Sequence, residues 1–315
     1  MTAGIEPRAT DRYYEIRAGL FLRQMRESWK LFAESRIGLI GIGVIVFFGL
    51  MAVAHPILMA TVWEYRVYHP VIGFDGEMVG HPTPPSARHL LGTDPLGRDI
   101  LSMLMHSTQS EFLLGIVAAI VTVVVGTAVG AASAYFGGWL DSVLMRISDL
   151  VIMMPSLSLY IVLGTLFDLN FTTLAIAIGL VSGLGATAVI IKSQAMTVKV
   201  KPYVEAARGA GGSHFHIITT HMIPNLVPLA FLYMMFTVTG AIFSEAVLSF
   251  FGILNVRMSW GIMINTAQSS GYLGFGLEYW WLLVPAGLSI TLLCASFYLV
   301  GRGLDPVVNP RLRRG

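Results

Sequence analysis

Apolar residues in this chain gather into six runs of about twenty, at 37–59, 112–135, 143–167, 172–191, 226–250 and 280–300. As a helix, each run is long enough to cross roughly 30 Å of hydrocarbon at 1.5 Å of rise per residue. Short polar stretches rich in Gly and Pro separate them. The pattern predicts an all-α polytopic membrane protein with six transmembrane helices. It divides the chain into an N-terminal segment 1–36, an anchor helix 37–59, a segment 60–107 with an interfacial helix, a transmembrane domain 108–303 of five helices, and a tail 304–315. There is no tandem repeat, and no pair of Gly- or Pro-interrupted spans in matching halves of the kind that marks many secondary transporters.

Charge sets the expected orientation. With the amino terminus inside, 16 Lys and Arg fall on the inner side and 4 on the outer, so the positive-inside rule places both termini in the cytoplasm. The loop 192–225 is then cytoplasmic, and the segments 60–111 and 251–279 face outward. The polar stretch before residue 37 is too long and too acidic for a cleaved secretory signal, so the first span is expected to stay as an anchor.

Composition agrees. Hydrophobic residues make up 55% of the chain and charged ones 12%, against roughly a quarter charged in a soluble domain. The single cysteine, Cys294, lies in an apolar run, which excludes an internal disulfide. A net charge of +2 gives no argument for nucleic acid. Gly126 with Gly130, and Gly179 with Gly183, are spaced to share a helix face and allow close helix approach, within the subunit or across a subunit interface.

Two polar stretches carry candidate chemistry. In the outer segment, Gly92, Thr93, Asp94, Pro95, Gly97, Arg98 and Asp99 precede an apolar stretch, and Asp94 before Pro95 reads as a helix start. Arg98 and Asp99 could clamp a solute or pair locally. In the cytoplasmic loop, Pro202 suits a first helical position, Glu205 falls in the first turn, and the glycines after Arg208 end the helix. Such a helix has about two turns and must be held by something it packs against. Tyr203, Glu205, Ala206 and Ala207 give it a low face with one acid, suited to a groove on another protein. Ser213 can cap a second helix that returns to the membrane, with Pro224 at the junction with the fifth span. Straight α-helical spacing puts His214 and His221 on one face two turns apart and turns His216 elsewhere, which argues against a metal site.

At this point the sequence resembles the permease family of ATP-binding-cassette (ABC) importers, specifically the second permease of the peptide, nickel and oligosaccharide branch. The cytoplasmic signature is present as Glu205-Ala206-Ala207, Gly211, His221, Ile223, Pro224 and Asn225. Further blocks are 91–99; Ala134 to Gly138 with Asp141; Leu144 to Arg146 with Asp149 and Pro155; Glu245 to Gly252 with Ser259-Trp260-Gly261; and Leu304-Asp305-Pro306. The sequence departs from the family where Ser107-Thr108-Gln109-Ser110-Glu111 replaces a Gly-x-Arg-x-Ser pattern, where paired prolines give way to Asn255 to Met258, and at Arg302.

The resemblance implies a multi-pass protein of the inner or plasma membrane that works with a second permease, two ATPase subunits and an external solute-binding protein. It implies no catalysis and no cofactor in this chain, since ATP and Mg would be held by the ATPases. A Gly-x-x-x-x-Gly-Lys-Ser/Thr loop is absent from the sequence, as are hydrolase signatures. Glu205, Ala206, Ala207 and Gly211, with Tyr203, His221 and Pro224, become the expected ATPase contact. Glu245, Ser249 and Trp260 are the candidate path or gate, or else Glu245 bonds to amides of the outer loop. Gly92 to Asp99, Arg146 and Asp149 are expected to be structural. The expected solute is a di- or oligopeptide, with oligosaccharide or a nickel chelate as alternatives. An autonomous secondary transporter would need coupling acids inside its spans, where only Asp149 and Glu245 qualify.

Overall fold

The computed structural model describes residues 26–78 and 80–308, so parts of the expected terminal segments 1–36 and 304–315 lie outside the described residues. Helix α1, Arg36–Thr61, starts where the Ser35 hydroxyl accepts the Gly38 amide at 3.2 Å. After the one-turn helix α2, Tyr65–Tyr68, an irregular segment leads to α3, Ile100–Phe136, which is uninterrupted over 37 residues. The Asp99 carboxylate caps α3 by accepting the Ser102 amide at 2.7 Å. The expected start at Asp94 is therefore corrected. Gly97 sits at φ +80, outside any right-handed helix, and Asp94 closes a turn by accepting the Leu96 and Arg98 amides. No separate interfacial helix forms there, because Ile100 already belongs to the second span.

The third span is also corrected. In place of one helix over 143–167 there are α4, Gly138–Met153, and α5, Ser156–Phe167, bent by 87° at the break. Pro155 supplies no amide hydrogen and disfavours helical geometry in the residue before it; Met154 sits extended at φ −79, ψ 127. Among the described residues, five helices are long and apolar enough to cross a membrane, and the bent pair makes a sixth if counted as one span.

An Asn170–Thr173 capping box begins α6, Phe171–Ser182. A π-turn, Gly183–Thr187, with Gly185 at the non-helical φ −80, ψ −124, joins it to α7, Ala188–Lys199. Next come α8, Pro202–Gly209, and α9, His214–His216, which passes through a π-helical stretch, Ile217–Met222, into α10, Ile223–Phe250. Both ends of the predicted loop 192–225 are thus continuations of spans. Helix α11, Trp260–Ser269, and a 3-10 stretch, Tyr272–Tyr279, precede α12, Trp280–Val308.

Helix α3 is the centre, touching α1, α6, α7 and α10. The four glycines noted in the sequence lie in one contact between α3 and the helices after residue 170. A methyl on Gly130 would sit 2.7 Å from the Ala188 carbonyl oxygen, and one on Gly179 2.8 Å from that of Ala118. The close approach is within the subunit. In contrast, α1 leaves Ile40, Phe47, Leu50 and Val53 more than half exposed, the surface a helix presents to lipid.

Candidate functional site

The segment 62–99 is knotted to the start of α3. His89, with no exposed surface, places Nδ1 2.8 Å from Asp99 Oδ2 and Nε2 3.1 Å from Asp75 Oδ2, and both aspartates are buried. Arg88 Nε adds an ion pair to Asp75 at 2.8 Å. The hydrogen bond to Asp99 raises the His89 pKa, opposed by burial and reinforced by Asp75. Burial pushes the Asp75 carboxyl up, but hydrogen bonds from His89 and the Glu77 amide, with Arg88, outweigh it and hold the group below its ordinary range. Arg98 forks onto Asp94 through Nε at 2.8 Å and Nη2 at 2.5 Å, and Nη2 reaches Thr266 of α11 at 3.4 Å. Thr93 Oγ1 accepts the Thr83 amide at 2.9 Å, and Gly92, at φ +78, lies against the Thr83 carbonyl. Arg98 and Asp99 are therefore internally paired rather than presented to a solute.

The three gate candidates lie inside the subunit. Glu245 is fully buried and accepts the Ser249 hydroxyl at 2.5 Å. Trp260 has no exposed surface; its indole donates to the Leu104 carbonyl at 3.1 Å, and its ring packs on Phe48. The acid inventory changes. Asp149 is exposed beside Arg146, whereas Glu111 of α3, placed by the sequence at the end of the outward-facing segment 60–111, is fully buried close to Glu245. Both Glu111 oxygens and Glu245 Oε2 lack a donor.

Beside the bend between α4 and α5, the π-turn after α6 and α10, there is an open cavity of about 380 Å³. Its lining mixes the hydroxyl-bearing Ser156, Tyr160, Ser182, Thr187, Tyr233, Thr237 and Ser244 with apolar residues such as Val151 and Phe236, and none of its 16 lining residues is Asp, Glu, Lys, Arg or His. Met154 and Gly185, where regular helix breaks in two separate spans, are both on its wall. Non-helical backbone is tolerated at membrane depth only inside protein or against a wet cavity. Sequence reading missed this cavity, although Pro155 and Gly185 inside apolar runs were its signal.

At the other end of α3, Tyr135 meets the loop. Its hydroxyl lies 2.7 Å from His214 Nδ1, the Arg208 guanidinium stands 5.5 Å over its ring, and Lys199 Nζ donates to the Ala134 carbonyl at 2.9 Å. Val204 is fully buried among Ile191, Val198, Ile217 and Leu226, anchoring α8, while Tyr203, Glu205 and Ala206 are exposed and Ala207 is half-buried. The helix ends with Gly211 at φ +80, where its amide reaches the Arg208 carbonyl and that of Gly212 the Ala207 carbonyl, a Schellman arrangement. His221 is half-buried with its ring 6.4 Å from Tyr203, and exposed Pro224 lines an apolar groove with Phe32, Phe231 and Leu304. The histidine geometry is corrected: the π-helical stretch brings His216, not His214, against His221, with ring centroids 5.6 Å apart.

The family model described as binding-protein-dependent transport system inner membrane component matches residues 123–314. The chain is 30% identical over 296 residues to the dipeptide transport system permease protein of Bacillus subtilis, covering 93% of this chain and 88% of that protein. It is 33% identical over 267 residues to the oligopeptide transport system permease protein of Haemophilus influenzae, covering 84% of each. It is 31% identical over 230 residues to a probable D,D-dipeptide transport system permease protein of Escherichia coli, covering 72% of this chain and 75% of that one.

Proposed function

We propose, from the premise that this chain belongs to the family of binding-protein-dependent transport system inner membrane components, that it passes di- or oligopeptides across the membrane and receives work through the loop 192–225. It is a permease subunit of an ABC importer in the plasma membrane, and the family is one of transport permeases rather than enzymes. The partners that complete the reading are a second permease, two ATPases that bind ATP and Mg, and an external binding protein. The peptide solute rests on the relatives, which are named as dipeptide and oligopeptide permeases.

The observation that carries the coupling role is the division of α8 into two faces. Val204 is buried in the subunit, and Tyr203, Glu205 and Ala206 stand free at the end of the molecule opposite the segment 62–99. A helix of eight residues is unstable alone, so its seat fixes the direction of the free face. With both termini in the cytoplasm, that face points toward the ATPases.

Gly211 gives the test. A methyl group there meets nothing within 4 Å, so the effect of Gly211→Val comes from the positive φ alone, on the order of 1 kcal/mol. We expect the variant to insert normally but to lose ATPase during co-purification, or to hydrolyse ATP without uptake. Glu205→Lys should do likewise by opposing the helix dipole and reversing the charge offered to the partner. Normal association with normal coupled uptake in both variants would remove this loop as the coupling element.

A further inference from the structure

Uncharged hydrogen-bonding groups and two interruptions of regular α-helix meet in one place in the transmembrane region: the cavity between the α4–α5 bend, the Gly183–Thr187 turn and α10. We propose that this cavity is a solute-binding station on the translocation path, that it reads the main-chain amides of the peptide through hydroxyl and backbone groups, and that it selects against no side-chain charge because it carries none. The inference rests on the peptide reading above and adds a location and a chemistry to it.

Three observations converge on this station. The first is wetness. The wall mixes hydroxyl-bearing Ser156, Tyr160, Ser182, Tyr233 and Ser244 with apolar Val151, Ile152 and Phe236 around about 380 Å³, so water or a polar solute finds partners there that a purely apolar pocket would lack. The volume lies within the range of small-molecule sites, about 300–1,000 Å³.

The second is the position of the helix breaks. Transport proteins built on discontinuous helices bind solute where the backbone is unwound, since freed amide and carbonyl groups can be offered to a ligand. Here Pro155 interrupts one helix pair and Gly185 another, and Met154 and Gly185 both face the same space. A single break could be a packing accident. Two breaks from separate spans on one cavity set irregular backbone of both beside the hydroxyl-bearing Ser156 and Ser182, an arrangement that neither span forms alone.

The third is the partition of charge. Ser244 lines the cavity, while its neighbour Glu245 turns away and is buried with Ser249. The exposed pair Arg146 and Asp149 on α4 is not part of the lining either. A path that must pass peptides bearing acidic, basic or neutral side chains gains nothing from a fixed charge, which would trap one class and repel another. The constant feature of such solutes is the amide chain, and hydroxyls, as both donors and acceptors, match either half of an amide.

Ala186 gives a clean test, because it is exposed on the cavity wall. In the assembled transporter in proteoliposomes, with its ATPases, second permease and binding protein, uptake of Ala-Lys-Ala and Ala-Glu-Ala is compared for unmodified protein, Ala186→Lys and Ala186→Asp. The expected result is a crossed pattern: Ala186→Lys lowers the Lys-to-Glu uptake ratio at least fivefold, and Ala186→Asp raises it by a similar factor. General misfolding lowers both peptides and cannot cross the ratio. An unchanged ratio in both variants overturns the proposal.

Ser156→Cys in a Cys294→Ser background supplies a measurement that needs no charged variant. A small hydrophilic thiol reagent should modify it during turnover, and trialanine should protect it. An unreactive cysteine, or one that trialanine leaves unprotected while the same vesicles import trialanine, removes the cavity and keeps the peptide reading. Protection by maltotriose, with no import of trialanine, overturns the amide chemistry and the peptide reading together.

Discussion

Replacing His89 with Leu removes the one group that both Asp75 and Asp99 share. The imidazole bonds to Asp99 at 2.8 Å and to Asp75 at 3.1 Å, and all three side chains are buried. Deleting one partner from a buried charged network costs about 3–5 kcal/mol, because the remaining charges are left without compensation. The lower end applies here, since Asp99 keeps the Ser102 amide and Asp75 keeps Arg88 and the Glu77 amide. At about 1.4 kcal/mol per tenfold, ~3 kcal/mol multiplies the open population of the segment 62–99 by roughly a hundred. Limited proteolysis or hydrogen exchange of that segment in the assembled transporter reads this directly.

The pH dependence has a definite sign. The His89 pKa is raised in the folded protein, so its contribution is complete below the ordinary value of 6.5 and disappears as pH rises through the raised value. The Asp75 pKa is lowered, so its contribution is present above the ordinary 3.8 and disappears as pH falls through the lowered value. Opening of the segment should therefore be least frequent between these limits and should increase on the alkaline side. His89→Leu should open more at neutral pH and lose the alkaline limb. A flat profile in the unmodified protein from pH 6 to above the His89 transition, or the same alkaline limb in His89→Leu, would refute this account.

Glu111→Gln should raise thermal stability on the order of 1 kcal/mol, because its amide can donate to Glu245 Oε2, which has no partner among the described residues, and it leaves one carboxyl where two are buried together; a loss as large as that of Glu111→Ala would show that the acid itself is required. Gly130→Ala should lower the unfolding temperature through overpacking of about 1–3 kcal/mol against the Ala188 carbonyl, whereas Gly43→Ala on open α1 surface should not; equal unfolding temperatures would contradict the close helix contact. With Cys294→Ser as background, a cysteine at exposed Ala87 should react with an impermeant reagent from outside and one at exposed Ala210 should not, and the opposite labelling would invert the orientation.

Most spans could be read from length and apolarity, because each signal lies within one stretch of chain. The short helix α8 was equally legible, since Pro202, Glu205 and the glycines after Arg208 act on the backbone beside them. What escaped depends on contacts between distant segments. Glu111 borders an apolar run and looks like an interfacial acid until α10 brings Glu245 to it. His216 and His221 were separated by an assumed α-helical spacing that a π-helical stretch does not keep. Pro155 signalled a break, but the 87° bend and the cavity beside it arise from how α4, α5 and α10 pack.

Helix α3 also has a mechanical meaning. One end is clamped at Asp99 to the segment that carries His89, and the other carries Tyr135 against Arg208 and His214. Its 37 residues measure about 55 Å at 1.5 Å per residue, nearly twice the hydrocarbon thickness. It is in effect a lever with a handle on each side of the bilayer. Pivoting by ~5° about the Tyr135 end would swing the Asp99 end through about 5 Å, the pitch of one helical turn. Because α3 packs along its length on α1, α6, α7 and α10, a tilt of that size carries those helices with it.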